Sequence, residues 1–211
     1  MAEFGVLVLI VALSVNFLKR PEDTTDVSIF EQDGTLIDYC DLPELDGNGL
    51  KAVDIPKAYT PGCGYERFPM PVLADCREPL ATGVTDLRGL WLAKSGIEGH
   101  IERVEQCGNR TVVTSSSIIH DFMTDGSLEN GAHDVSPPNC TNIRASVEFN
   151  NGAMELSPFG LANLVTRRLE GDELVWEYVG KTTRLKRICK FPEGEKGLFV
   201  ERNYKPVGSD G

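Results

Sequence analysis

Residues 87–96, LRGLWLAKSG, open a region in which the chain becomes regular. From here to residue 190, apolar and β-branched segments alternate with short turn signals such as CGNR, NNGA and EGDE. Asp125-Gly126 and Asn151-Gly152 are dipeptides that two-residue hairpin turns favour, because these residues accept positive φ. The predicted strands are residues 87–94, 100–106, 111–123, 127–134, 143–149, 153–157, 162–169, 173–179 and 182–190.

Strands joined in this way form an antiparallel meander, whose edges would be exposed in an open sheet. Closing the sheet into a barrel removes those edges. We therefore predict an all-β fold, an antiparallel up-and-down β-barrel of eight to nine strands over residues 84–191.

The chain before the barrel has a different composition. Residues 35–83 contain six prolines and three of the six cysteines. Prolines at this density exclude long helices and central strands. We predict that residues 19–83 form an irregular segment, rich in proline and cysteine, that packs on the barrel, and that residues 192–211 form a polar tail.

Residues 1–18 are predicted to be a signal peptide or an anchor. The apolar run at residues 4–18 is short for a membrane span, which needs about 20 residues. It resembles a secretory h-region, with small residues suited to cleavage after Ser14. Glu3 replaces the usual positive n-region, so an uncleaved anchor or a buried strand is the alternative.

Charge and cysteine content limit the partners and the compartment. The net charge of −11 disfavours nucleic acid and anionic membranes, which leaves the N-terminal segment as the predicted membrane contact if it is uncleaved. An even number of cysteines without a CxxC pair indicates disulfides in an oxidising compartment, with the protein secreted, periplasmic or at the cell surface. The predicted disulfide cysteines are Cys40, Cys63, Cys76, Cys107, Cys140 and Cys189.

Two details of these segments remain open from the sequence. Cys63 and Cys76 are able to close a short loop, although spacing does not fix the pairing. The sequons at Asn109 and Asn139 lie in predicted loops and are candidate glycosylation sites.

Gly89-Leu90-Trp91 on the first strand, the meander after it and the basic last strand TTRLKRICKF resemble the calycin superfamily, which contains lipocalins and fatty-acid-binding proteins. The resemblance covers about residues 84–191. In lipocalins the Trp of the G-x-W motif closes one end of the barrel, and an Arg from the last strand packs across its indole. The resemblance gives Trp91 this structural role, with Arg184 or Arg187 as its partner.

The interior of such a barrel is predicted from the alternation of side chains. Within residues 173–179, Leu174, Trp176 and Tyr178 share one face, and this bulky face is predicted to point inward. Trp176 and Tyr178 would then line a pocket for a small ligand, and a fully packed core is the alternative.

His120 and His133 are further candidate ligand-binding residues, together with Phe122. If Asp125-Gly126 forms a hairpin, the two imidazoles are diagonal neighbours, about 7–8 Å apart at the backbone. His100 falls on the opposite face if Gly108-Asn109 forms the preceding turn. Because no third ligand is evident, we predict no metal and no cofactor.

No nucleophile elbow, glycine-rich phosphate loop or HExxH motif is present in the sequence. We therefore predict a lipocalin-like protein that binds a small hydrophobic molecule and is not an enzyme. One alternative is an accessory or structural subunit of a larger assembly, with a solid barrel and residues 35–83 as a docking arm for a protein partner. The other is a barrel isomerase or cyclase that uses His120.

Overall fold

The computed structural model describes residues 18–19, 37–60, 68–97, 99–115, 118–129, 141–142 and 144–192. The predicted signal or anchor and the predicted tail therefore lie almost entirely outside the described residues. The elements are β1 (Leu18–Lys19), a 3-10 turn (Ala52–Asp54), β2 (Gly89–Ser95), β3 (Ile101–Cys107), β4 (Arg110–Ser115), β5 (Ile118–Met123), β6 (Thr141–Asn142), β7 (Ala145–Asn150), β8 (Ala153–Pro158), β9 (Val165–Glu170), β10 (Glu173–Tyr178) and β11 (Lys181–Ile188).

Nine of these strands form a single antiparallel sheet, and β1 pairs separately with β6. The sheet order is β5-β4-β3-β2-β11-β10-β9-β8-β7, so neighbours in the sheet are neighbours in the chain except where β11 pairs with β2. Residues 125–129 bring the two edges together, because Asp125 and Glu129 form antiparallel bridges with Glu148 and Ala145 of β7. The predicted all-β, up-and-down barrel is confirmed in this nearly closed form.

The tight turns follow the predicted sequences in two places and depart from them in a third. Asn151 and Gly152, at φ 49° and 83°, form the two-residue connection between β7 and β8. Gly108-Asn109 joins β3 to β4. The predicted strand 111–123 is wrong, because it is two strands, β4 and β5, paired with Ser115 opposite Ile118. A run of three serines favours a turn over a continuous strand.

Trp91 lies near the end of the barrel at which β2 begins, which we call the lower end. Its indole Nε1 donates to the carbonyl of Leu87 at 3.0 Å, and the guanidinium of Arg187 lies 4.5 Å from the ring centroid. Gly89 has φ 145°, and a Cβ there would lie 3.2 Å from an Arg187 nitrogen. The glycine of the G-x-W motif therefore leaves room for the arginine. Arg184, the other candidate partner, instead bonds Glu170 and Glu173.

Arg110 and Asp121 hold part of the proline-rich segment against the outer wall of the barrel. The Arg110 guanidinium forms two hydrogen bonds with the Asp121 carboxylate, at 2.8 and 2.7 Å. It also donates to three backbone carbonyls within residues 52–56, and Asp121 accepts from the amide of Ala58. Both side chains are buried, at 5% and 1% exposure.

Arg103 and Glu105 of β3 act in the same way on residues 68–73. Arg103 donates to Glu105 and to the carbonyls of Pro69 and Met70, while Glu105 accepts from the amide of Leu73. Irregular chain has no ladder partners for its carbonyls, and buried carbonyls without partners are costly. The two arginines supply those partners.

Two disulfides tie the same segment to the barrel. Cys76 is bonded to Cys107 at the end of β3, and Cys40 is bonded to Cys189 just after β11. The suggested Cys63–Cys76 loop is therefore wrong, since Cys76 pairs with a strand cysteine instead. Cys63 and Cys140 lie outside the described residues. The two bonds are consistent with an oxidising compartment.

None of the helical structure within the described residues is long and apolar enough to cross a membrane.

Replacing Arg110 with alanine tests the attachment of residues 52–58 to the barrel wall. The change leaves the Asp121 carboxylate buried without its counter-charge, so we expect the free energy of unfolding to fall by about 3–5 kcal/mol. The control is Arg184→Ala, which removes solvent-screened ion pairs with Glu170 and Glu173 and should cost far less. Urea unfolding followed by circular dichroism measures both, and equal losses would contradict the assignment.

Candidate functional site

The barrel interior is apolar along most of its length. Strand alternation places its side chains in one cluster. The buried members are Leu87, Trp91, Ala93, Val104, Val113, Phe122, Ala145, Val147, Met154, Leu156, Leu174 and Leu185, with Phe149, Val165, Leu169 and Trp176 packed against them.

A buried charged group interrupts this apolar lining. Glu102 lies two residues before Val104 on β3, and Arg167 lies two residues before Leu169 on β9, so both side chains point inward. The Arg167 guanidinium donates to both oxygens of Glu102, from Nε at 2.9 Å and from Nη2 at 2.8 Å. The two residues are 0% and 4% exposed. Such a bidentate salt bridge fixes the relative position of the guanidinium and the carboxylate.

His100 completes the group from the chain that leads into β3. Its Nε2 lies 3.2 Å from a carboxylate oxygen of Glu102, and its ring is 6% exposed. We call His100, Glu102 and Arg167 the interior triad. Burial raises the pKa of Glu102, but the charge and hydrogen bonds of Arg167 and the hydrogen bond with His100 outweigh it, so the pKa lies well below its usual range. Glu102 is therefore ionised.

The indole of Trp176 covers the interior triad. Its ring stacks on His100 with centroids 5.1 Å apart and on Tyr178 at 6.4 Å, and the Arg167 guanidinium lies 5.5 Å from its centroid. The indole Nε1 is buried and has no hydrogen-bond partner among the described residues. Buried donors in folded proteins are nearly always paired, so this N–H marks a point where an acceptor would be stabilised.

His100 and Arg167 lie toward the other end of the barrel, which we call the upper end, whereas Glu102 is the cross-strand partner of Trp91. The turns after β2, β8 and β10 lie at the upper end, and several of their exposed residues are apolar. Leu161 is 83% exposed, Val179 63%, Ile97 50% and Leu164 44%. Val179 has φ 47°, a strained conformation for a β-branched residue. The upper end therefore presents an apolar rim.

The residues predicted to bind ligand occupy two strands. Trp176 and Tyr178 lie on β10, and His120 and Phe122 lie on β5 with their rings stacked at 5.8 Å. Four strands separate β5 from β10 in the sheet, so the structure groups these residues as two pairs. His133 lies outside the described residues. Of the sequons, Asn109 lies in the β3–β4 turn, and Asn139 is outside the described residues.

The Asp125-Gly126 hairpin, from which His120 and His133 were predicted to be neighbours, does not match the strand pairing in the structure. Among the described residues, those that follow Asp125-Gly126 bridge to β7. The prediction that His100 faces away from His120 is also wrong. It assumed one strand over 111–123, and the break between β4 and β5 changes the register, so both imidazoles point into the barrel.

Glu102 and Arg167 are not among the site residues predicted from the sequence. Each could have been recognised from the sequence as a charged residue on the inward face of a strand whose next inward residue is apolar. Their pairing could not have been recognised, because 65 residues separate them in the chain.

Asp38, Cys40 and Cys189 form a group of potential metal ligands. Because the two cysteines share a disulfide, they offer no thiolates, and the group is not a metal site.

A second apolar space lies outside the barrel, between the proline-rich segment and the wall. This cavity has a volume of about 230 Å³, and its lining includes Tyr39, Leu42, Leu45 and Leu73. Its existence means that binding by the protein does not by itself locate a ligand in the barrel.

No protein-family model matches the sequence, and no curated protein matches it. Similar solved structures include human cRBP IV, which is 17% identical with a TM-score of 0.39 and for which the alignment covers 49% of this chain and 99% of that chain. A mutant of the REP1-NXSQ fatty acid transporter is 14% identical with a TM-score of 0.38, over 49% of this chain and 98% of that chain. The sheet order itself is that of the nearly closed antiparallel up-and-down barrel that the sequence predicts.

The lowered pKa of Glu102 determines how the ion pair responds to acid. In the unfolded chain a glutamate titrates near pH 4.3. Because the folded-state pKa is lower, the contribution of the pair is complete above that pH and is lost as the pH falls below it. Glu102→Gln should lower the free energy of unfolding by about 3–5 kcal/mol at pH 7, since Arg167 is left buried without a counter-charge.

The difference in the free energy of unfolding between the unmodified protein and Glu102→Gln should shrink steadily from pH 5 to pH 2. Urea unfolding at several pH values measures it, and groups that titrate independently of Glu102 cancel because both proteins contain them. A difference that stays constant over this range would show that Glu102 is not held ionised by Arg167.

Proposed function

We propose that the barrel binds one small, mostly apolar molecule in its interior and performs no chemistry on it. The carrying observation is the buried N–H of Trp176, which has no hydrogen-bond partner within the described part of the chain and lies in an apolar lining. An apolar body removes hydrocarbon surface from water on binding, at about 25 cal/mol per Å² buried. One donor placed within that lining orients the molecule, which is the usual composition of a small-molecule site.

The apolar rim at the upper end is the proposed entrance. In this proposal the contact of Trp91 with Arg187 closes the lower end, whereas Leu161 and Val179 are exposed apolar side chains at the upper end. A ligand that enters there reaches Tyr178 and Trp176 before the deeper aliphatic residues. Exposed apolar patches often mark such contact surfaces.

A binding function fits the interior triad better than a catalytic one. A general base is most effective when its pKa lies near the working pH. Arg167 holds the pKa of Glu102 well below its usual range, which makes this carboxylate a weak base. In this proposal the triad is a fixed electrostatic support for the pocket. The two disulfides support a secreted or envelope-exposed location for the protein.

Titration with Nile red, an uncharged apolar dye, tests binding directly. Its emission should rise and saturate at one dye per protein. Trp176→Phe keeps an aromatic ring but removes the N–H, so we expect the dissociation constant to rise about three- to tenfold, the equivalent of one net hydrogen bond.

The matched control is Leu45→Phe, which fills the cavity outside the barrel and should leave the dissociation constant unchanged. Loss of binding in Leu45→Phe, with Trp176→Phe unaffected, would place the dye outside the barrel and contradict the proposal. Absence of saturable binding in the unmodified protein would favour the rival function, a solid structural barrel.

A further inference from the structure

We propose that the interior site selects ligands whose polar group is an uncharged hydrogen-bond acceptor, such as an alcohol, ketone or ester, and rejects carboxylates. This inference rests on the proposed function and names the ligand class of the same site.

The first step concerns the charge of Arg167. Its Nε and Nη2 already donate to the two oxygens of Glu102, at 2.9 and 2.8 Å, and both residues are buried. The cation is therefore neutralised within the protein. A ligand carboxylate placed beside it would also lie beside the Glu102 carboxylate, and two like charges in a poorly solvated site repel strongly.

The second step concerns the donor. The Trp176 N–H is uncharged, so its hydrogen bond with a neutral acceptor requires no ion to leave water. Removing an ionised carboxylate from water is far more costly than removing a hydroxyl or a carbonyl, and one neutral donor does not repay that cost. The site therefore favours the neutral group through both desolvation and repulsion.

The third step concerns the position of the donor. Three neighbours fix the indole: His100 at 5.1 Å, Arg167 at 5.5 Å and Tyr178 at 6.4 Å between the centres of the interacting groups. The interior triad thus has a positioning role, because it holds the ring that carries the donor. Arg187, also on the inward register, packs its guanidinium against the Trp91 ring, 4.5 Å from the centroid.

A competition experiment tests the selectivity without any mutation. Decan-1-ol, methyl decanoate and decanoic acid have matched ten-carbon chains and differ in the polar group. Each displaces Nile red from the unmodified protein at pH 7.5. We expect the alcohol and the ester to bind at least about tenfold more tightly than the ionised acid, because the acid alone must be desolvated as an anion.

Glu102→Gln should reverse this order, because it frees the Arg167 guanidinium to pair with a carboxylate. Decanoic acid should then bind at least about tenfold more tightly to the variant than to the unmodified protein. The double variant with Glu102→Gln and Arg167→Gln has neither charge, so the acid should gain nothing there. Circular dichroism establishes whether each variant is folded. If Glu102→Gln is not folded, the comparison of the unmodified protein with the double variant tests the proposal instead.

The two proposals fail in different ways. If the unmodified protein binds decanoic acid as tightly as decan-1-ol, the selectivity is wrong and the binding function stands. A gain in acid binding by the double variant equal to that of Glu102→Gln would also overturn the role given to Arg167. If Nile red does not bind at all, the binding function itself is wrong.

Discussion

Strand β3 is buried on both faces, and the rest of the structure depends on this constraint. Its outward side chains need partners in the irregular segment, and its inward side chains need partners inside the barrel. All seven of its residues are buried, although successive side chains point in opposite directions. Three of them carry charge, and a buried charge requires a partner. Arg103 and Glu105 pair with each other and bind the irregular segment outside the barrel. Glu102 pairs with Arg167 inside it.

The irregular segment and the barrel wall therefore stabilise each other. Proline-rich chain forms few ladder hydrogen bonds of its own, and here its carbonyls accept from Arg103 and Arg110. Two disulfides fix the same segment to β3 and to the chain after β11. Glu102 on the inner face is buried as well, so β3 carries charge away from water on both of its faces.

Local sequence signals predicted the barrel, whereas the disulfide and ion pairs depend on contacts between residues far apart in the chain. Asn151-Gly152 specifies its turn through backbone conformation, and Gly89 leaves space for an arginine over Trp91, so both are visible in short stretches. The pairing of Cys76 with Cys107 and of Glu102 with Arg167 joins distant residues, which no local pattern determines. The missed reversal between Ser115 and Ile118 altered the register, and with it the face assigned to His100.

The indole N–H signals of the two tryptophans provide the most direct test of a ligand bound inside the barrel. In a two-dimensional ¹⁵N–¹H spectrum Trp91 is an internal reference, because its Nε1 already donates to the carbonyl of Leu87 at the lower end. Saturating decan-1-ol should move the Trp176 indole signal downfield, because this N–H, which has no partner among the residues that the structure describes, gains an acceptor; the Trp91 signal should stay in place. An unmoved Trp176 signal at saturation would contradict a ligand held by that donor.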